Sequence, residues 1–185
     1  MTPLSTDATA TRPRRRTVRA AVALIALVSG LFVSTPPASA ALMSTLEQSM
    51  SHTILVMLNA ERALHGLRPL TSVYALQLSA RRHDKAMAAA NVMSHQLPGE
   101  PNFAVRISNA GYNWCWAGEN IAWNSDMTIT GVKLLQSLMY NEKAPNNGHR
   151  LNILNPHFKN IGLDVLTDWT HHKVWMTEDF GSLTY

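Results

Sequence analysis

Ile161-Gly162-Leu163-Asp164-Val165, then Thr167-Asp168-Trp169-Thr170, then Val174 and Met176, is the stretch that decides the class of fold. Apolar residues recur at every second position on both sides of a polar break, the period of a strand with one face buried. Two such runs around a turn predict a hairpin, with Phe180 and Gly181 closing its second arm. Upstream the period is that of a helix. Ser44-Thr45-Leu46-Glu47 forms a capping box, in which the serine hydroxyl accepts from an orphan N–H and the glutamate reaches back. Leu46, Met50, Ile54, Met57, Leu58 and Leu64 follow at helical spacing until Gly66, predicting a first helix over about 45–65. A second, rich in Ala, Leu and Met and capped by Ser72, is expected over about 72–93. A short helix over about 103–110 ends at Gly111, and a third long one, opened by Asp126 or Thr128, covers about 128–143. Pro145-Asn146-Asn147-Gly148 then breaks the chain and delivers His149 to a short turn over 150–154. Helices first and an antiparallel sheet later read as α+β.

The formal charge of +4 suggests a polyanion partner until its location is considered. Arg12, Arg14, Arg15, Arg16 and Arg19 stand against Asp7 alone in the first 40 residues, which leaves 11 basic and 11 acidic side chains after them. A neutral domain with scattered charge gives no electrostatic basis for nucleic-acid binding. The basic leader reads as a secretory signal over residues 1–40. Its arginines precede the apolar run Ala20 to Val33, Pro36-Pro37 end any helix, and Ala38-Ser39-Ala40 supplies the small-x-small cleavage pattern. That run falls short of the ~20 residues of a permanent span. The alternative is an uncleaved anchor. Residues 41–185 are then expected to fold as one exported domain with no membrane span.

Cys115 is the one cysteine, so no intramolecular disulfide framework exists and a hydrophobic core must stabilise the domain. Between Trp114 and Trp116 it is expected to be a small buried apolar residue, with a reactive or intermolecular thiol as the alternative. His52, His65 and His83 fall in or at the ends of the first two helices, where solvated or locally bonded roles are expected. His171 and His172 fall in the hairpin's second arm, where metal binding as a pair is one reading, and the opposite facing of strand neighbours argues against it. Trp114, Trp116 and Trp123 are read as packing residues, with a ligand-stacking wall as the alternative.

Four segments, in this order and spacing, resemble the CAP superfamily (SCP domains; cysteine-rich secretory, antigen 5 and pathogenesis-related proteins) in its bacterial secreted branch. They are Met93-Ser94-His95, Gly118-Glu119-Asn120-Ile121-Ala122, Leu138-Met139-Tyr140-Asn141-Glu142 and Gly148-His149-Arg150-Leu151-Asn152-Ile153-Leu154. Arg106-Ile107 with Ala110-Gly111-Tyr112 resembles the family's connecting segment. Ile161 to Val165 and Thr177 to Gly181 resemble its closing strands. The resemblance implies a three-layer α/β/α sandwich around a small central antiparallel sheet. It further implies that His95, Glu119, Glu142 and His149 line one cleft. This chain departs from the bacterial pattern at the rim, with Leu138 or Met139 where a tryptophan is usual and Asn146-Asn147 where Ser-Pro precedes Gly-His.

The positions of the four suit a surface depression, because His95, Glu119 and His149 lie at breaks in the chain and Glu142 at a helix end. Three chemistries are compatible with them. Each Glu–His pair can brace the fold by charge-assisted hydrogen bonds. His95 and His149 can hold zinc or another divalent metal, with the carboxylates as ligands or orienting groups. In a metal-assisted hydrolase, a peptidase acting outside the cell, Glu119 or Glu142 would be the catalytic base on bound water. With no Gly-x-Ser-x-Gly elbow in the chain, the leading expectation is a secreted binding domain whose cleft takes a small molecule, lipid, glycan or peptide.

Overall fold

The computed structural model describes residues 4–5, 9–11 and 43–184. The apolar run and cleavage pattern of the leader lie outside the described residues. In chain order the elements are β1 (Leu4–Ser5), β2 (Thr9–Thr11), α1 (Thr45–Ala63), β3 (Thr71–Ser72), α2 (Tyr74–Ala90), α3 (Phe103–Asn109), β4 (Trp116–Asn124), α4 (Ile129–Tyr140), α5 (Gly148–Ile153), β5 (Asn160–Asp168) and β6 (Lys173–Ser182).

β4, β6 and β5 form an antiparallel core in which Glu119 stands opposite Asp179, and Asp179 opposite Gly162. β3 extends it beyond β5, giving a four-strand open sheet, and β1 and β2 pair with the outer edge of β4. The sheet is not wholly antiparallel as expected: β3 runs parallel to β5, because its two residues lead directly into α2 as a crossover.

Side chains alternate across the sheet, and each face has its own helical layer. On one face Met50, Ile54 and Leu58 of α1 pack with Val132, Leu135 and Met139 of α4 over Leu163, Val165, Val174 and Met176. On the other, Leu76 of α2 joins Phe103, Ile107 and Ala117, while Met87 joins Ile121 and Trp175. The molecule is therefore the α+β, α/β/α sandwich expected. Gly162 shows how closely α2 is seated: a Cβ there would lie 2.0 Å from the backbone carbon of Leu76 and from the nitrogen of Gln77. The capping box holds, with Ser44 Oγ accepting from Glu47 N at 3.2 Å and Ser44 N donating to Glu47 Oε2 at 2.9 Å. Glu47 also accepts from Arg81 at 3.1 Å and from Thr167 N at 2.8 Å, tying α1 to α2 and β5.

Several local expectations are corrected. α2 starts at Tyr74 rather than at residue 72. Ser72 is taken into β3, and the capping position falls on Val73, which makes no side-chain cap bond. Glu119, expected at a break in the chain, lies within strand β4 together with the rest of Gly118–Ala122. Most of the strand's side chains are buried on both faces, so it shows no apolar–polar alternation. α4 stops at Tyr140, and His149 sits within the short helix α5 rather than before a turn. His171 and His172 occupy the turn between β5 and β6, not its second arm, and His171 Nδ1 lies 2.7 Å from Asp168 Oδ2. Cys115 is only half-buried, its thiol donating to Leu183 O at 3.2 Å, because it precedes the strand rather than lying inside it.

Candidate functional site

His95 is set in the loop after α2, which ends at Asn91 in the left-handed conformation. Its Nδ1 lies 2.7 Å from Glu119 Oε1, and Glu119 is sealed in β4 at 0% exposure. The second carboxylate oxygen accepts from Arg106 Nη2 of α3. Arg106 Nη1 donates to His95 O at 2.8 Å and to Pro101 O at 2.9 Å, so one guanidinium holds both the loop and the carboxylate. Behind it Glu100 meets His83 Nδ1 at 2.9 Å and Arg106 at 3.6 Å. Burial pushes the Glu119 carboxyl up, but the hydrogen bond with His95 and the charges of His83, Arg106 and His95 outweigh it. Glu119 is held below the ordinary carboxylate range. Asp179, facing it across the strands, moves the opposite way: burial first, then the charge of Glu119, pushes its carboxyl well up. Two neighbouring acids thus titrate apart, with Glu119 the ionised one.

The second pair is built locally. Glu142 lies just past the end of α4 and turns to the start of α5, where its Oε1 is 2.5 Å from His149 Nδ1. Its Oε2 accepts from the backbone N–H of His149 at 3.0 Å and of Arg150 at 3.4 Å. These are orphan donors of a helical first turn. His149 is 1% exposed, and its Nε2 is buried with no hydrogen-bond partner. Arg150 donates to Tyr140 O, and its guanidinium lies 4.6 Å from the centre of the Tyr140 ring.

Two asparagines join the pairs. Asn120, next to Glu119 in β4, points to the opposite face and donates through Nδ2 to His149 O at 3.3 Å and to Glu178 Oε2 at 2.9 Å. Asn152 Nδ2 returns to Glu119 O at 3.2 Å and to Asn120 Oδ1 at 2.9 Å. The structure therefore brings His95 to Glu119 and Glu142 to His149, and links the pairs through the backbone of β4 and two amides. Among the described residues no group of three or more His, Cys, Asp or Glu side chains is arranged to hold a metal ion.

Arg106, Asn120 and Asn152, which lie within the segments that resemble the family, join the site through their hydrogen bonds. An amide or guanidinium flanking a His–Glu motif could have flagged them. His83 carried no such signal, and its expected solvated or local role is corrected: it is 0% exposed and pairs with Glu100, 17 residues away. His52 is exposed, and His65 meets the Tyr140 hydroxyl at 3.0 Å. Trp116 is half-buried and stacks on His157 with ring centres 3.9 Å apart. Trp114 is buried and donates to Ala104 O at 3.1 Å.

The fold and this arrangement define a CAP-type domain. Residues 55–180 match the model of the cysteine-rich secretory protein family, and the chain belongs to that family. It is 32% identical over 124 residues to the uncharacterized protein YkwD of Bacillus subtilis (strain 168), a match over 65% of this chain and 45% of that protein. The chain thus spans less than half of that relative's length. Among solved structures it is similar to an extracellular protein containing a SCP domain from Bacillus anthracis str. Ames. There the TM-score is 0.62 at 28% identity, over 73% of this chain and 41% of that one. The fold is also shared with NaASP2, solved with Zn2+, at a TM-score of 0.55 and 13% identity over 75% of this chain and 83% of that one. No helix among the described residues is long and apolar enough to cross a membrane.

Proposed function

We propose that this chain is an exported CAP-domain protein, with a leader over residues 1–40 and one domain over 41–185. In this reading His95 and His149, oriented by Glu119 and Glu142, mark a cleft that binds a small molecule, lipid, glycan or peptide, assisted by an exchangeable divalent ion such as zinc. Export is supported by the arginine-rich, apolar leader and by the similarity to an extracellular bacterial protein.

One observation carries the binding reading. His149 has its Nδ1 fixed by Glu142 at 2.5 Å and its Nε2 buried without a partner. A carboxylate on one ring nitrogen fixes the tautomer and leaves the other as an acceptor for a ligand or metal. His95 carries the same carboxylate on Nδ1 at 2.7 Å. Two imidazoles so oriented fit zinc chemically but fall short of the three protein donors of a resident catalytic centre. The ion suits a ligand-assisted role. It would supply a Lewis-acidic anchor, while the chain's own residues orient the rings.

Hydrolysis, the alternative, draws less support. Glu119 is sealed and held by Arg106, and both oxygens of Glu142 already accept from α5. Neither is left free to take a proton from water.

The test is calorimetric titration of zinc into the full chain and into a His95→Ala/His149→Ala variant. A saturable heat lost in the variant is expected. Equal heats in both proteins would remove the metal from the reading. If Glu119→Gln and Glu142→Gln each abolish a chelator-sensitive peptidase turnover, the binding reading gives way to the enzyme.

A further inference from the structure

A cavity of about 440 Å3, lined by none of the four site residues, opens between the C-terminal end of α1, the segment leading into β3 and the loop before β5. Three cations line it, Arg62, Arg68 and Lys159, together with apolar walls that include Leu67, Pro69 and Phe158. None of the described residues lining it is acidic. The domain as a whole balances its charges, so this concentration of one sign is local.

Arg62 is the unusual member. It is 1% exposed, and among the described residues it has no carboxylate within ion-pair distance. Burial alone pushes its guanidinium below the ordinary arginine range, and no acidic neighbour offsets that push. Nε donates to Arg68 O at 3.0 Å, and Nη1 donates to Ile153 O at 2.7 Å and Asn155 O at 3.1 Å. Three of the five guanidinium N–H donors are thereby taken. The two on Nη2 have no acceptor among the hydrogen bonds of the described residues, and Nη2 is not one of the fully sealed, partnerless atoms. Arg62 thus lines the cavity with two guanidinium donors uncommitted among the described residues. A buried cation without a counter-charge is costly, and an anion in that cavity would supply one.

We propose that this cavity is a binding site for a small organic anion, a carboxylate or phosphate ester on an apolar body. Its charged end meets Arg62 Nη2, with Arg68 and Lys159 at the exposed rim. Its apolar part lies against Leu67, Pro69 and Phe158. The volume falls in the range of small-molecule sites, and each N–H of Nη2 can donate a charge-assisted hydrogen bond to an oxygen of a carboxylate or phosphate.

The experiment is amide NMR of the full chain titrated with phenyl phosphate, benzoate and the neutral benzyl alcohol at low and high salt. The two anions should shift the amides of Leu67, Arg68 and Lys159 saturably, more weakly at high salt, and benzyl alcohol should not. Arg68→Gln/Lys159→Gln, which changes exposed residues and leaves the buried clamp intact, should weaken both anions about tenfold at an unchanged Tm. Unchanged affinity in that variant, equal binding of benzyl alcohol, or no saturable shift with either anion would overturn the proposal. None of these outcomes bears on the zinc titration.

Discussion

His95 reaches Glu119 across 24 residues and the helix α3, whereas His149 reaches Glu142 across seven. The contact is the same, an imidazole Nδ1 on a carboxylate, but its supports are opposite. Glu119 stands in the sheet with 0% exposure, so its charge must be met inside the protein, and Arg106, His95 and the His83–Glu100 pair are assembled to meet it. Glu142 sits where a helix begins, two backbone N–H groups of α5 satisfy its second oxygen, and among the described residues no Lys or Arg side chain pairs with it. A charge buried in a sheet recruits the fold around it, while a charge at a helix start needs only the helix. The first pair should therefore be part of what holds the molecule together, and the second a feature that can be changed with the fold intact.

Arg106→Gln is the largest test of that contrast. It leaves the Glu119 carboxylate sealed without its guanidinium, and breaking a buried pair from one side costs about 3–5 kcal/mol. Urea unfolding should register that loss. Glu119→Gln in the same background should recover part of it by removing the uncompensated charge. A loss below about 1 kcal/mol in the single variant would mean that Glu119 does not depend on Arg106.

The contrast also explains what could be read from the sequence. The local devices were visible: the Ser44–Glu47 capping box, the helical spacing of Met50, Ile54 and Leu58, the hairpin alternation, and the helix-end position of Glu142 beside His149. The four candidate residues stand in ordered motifs rather than in a periodic pattern. What stayed hidden was long-range. The charge partner of Glu119 comes from α3, and His83 is interior because Glu100 folds back onto it, a contact that no helical pattern encodes. The strand around Glu119 escaped because burial on both faces erases alternation. Ser72 was misread because a capping residue and a two-residue strand look alike until β5 is beside them.

Glu178 sharpens the comparison through pH. It lies in β6 on the face of the second pair and accepts from Asn120 at 2.9 Å. Burial pushes its carboxyl from the ordinary 4.5 up to about 8, against a lowering by Asn120 and with a further raising by Glu61. A folded-state value above the unfolded one means that the protonated form favours the fold. Its contribution is complete below about 4.5 and is lost as pH rises through about 8. Over that window Glu178 should remove about 1.4 kcal/mol of stability per pH unit. Asp164, raised to about 6 by burial, adds a loss of the same sign at lower pH. Glu119, held low, works in the opposite sense and loses its contribution as pH falls. Urea midpoints of Glu178→Gln between pH 6 and 8 should fall less steeply than those of the parent by about one proton's worth. Identical slopes would mean that Glu178 is ionised in the fold.

The smallest stability effect belongs to the second pair. Glu142→Gln keeps an oxygen that can cap α5 and loses the charge on His149, so it should cost about 1 kcal/mol, the net value of a typical hydrogen bond. Its effect on the ring should be larger than its effect on the fold. Without the carboxylate, His149 can rotate or change tautomer, and loss of such an orienting partner weakens metal binding about 10- to 100-fold. A double-mutant cycle of Glu142→Gln with His149→Ala, read by both unfolding and zinc titration, separates the two quantities. Small coupling in stability with large coupling in zinc affinity marks the pair as an orienting device on a fold that stands without it. Large coupling in stability with none in zinc would make it a brace like its counterpart in β4, and the difference between the two pairs would then be one of location alone.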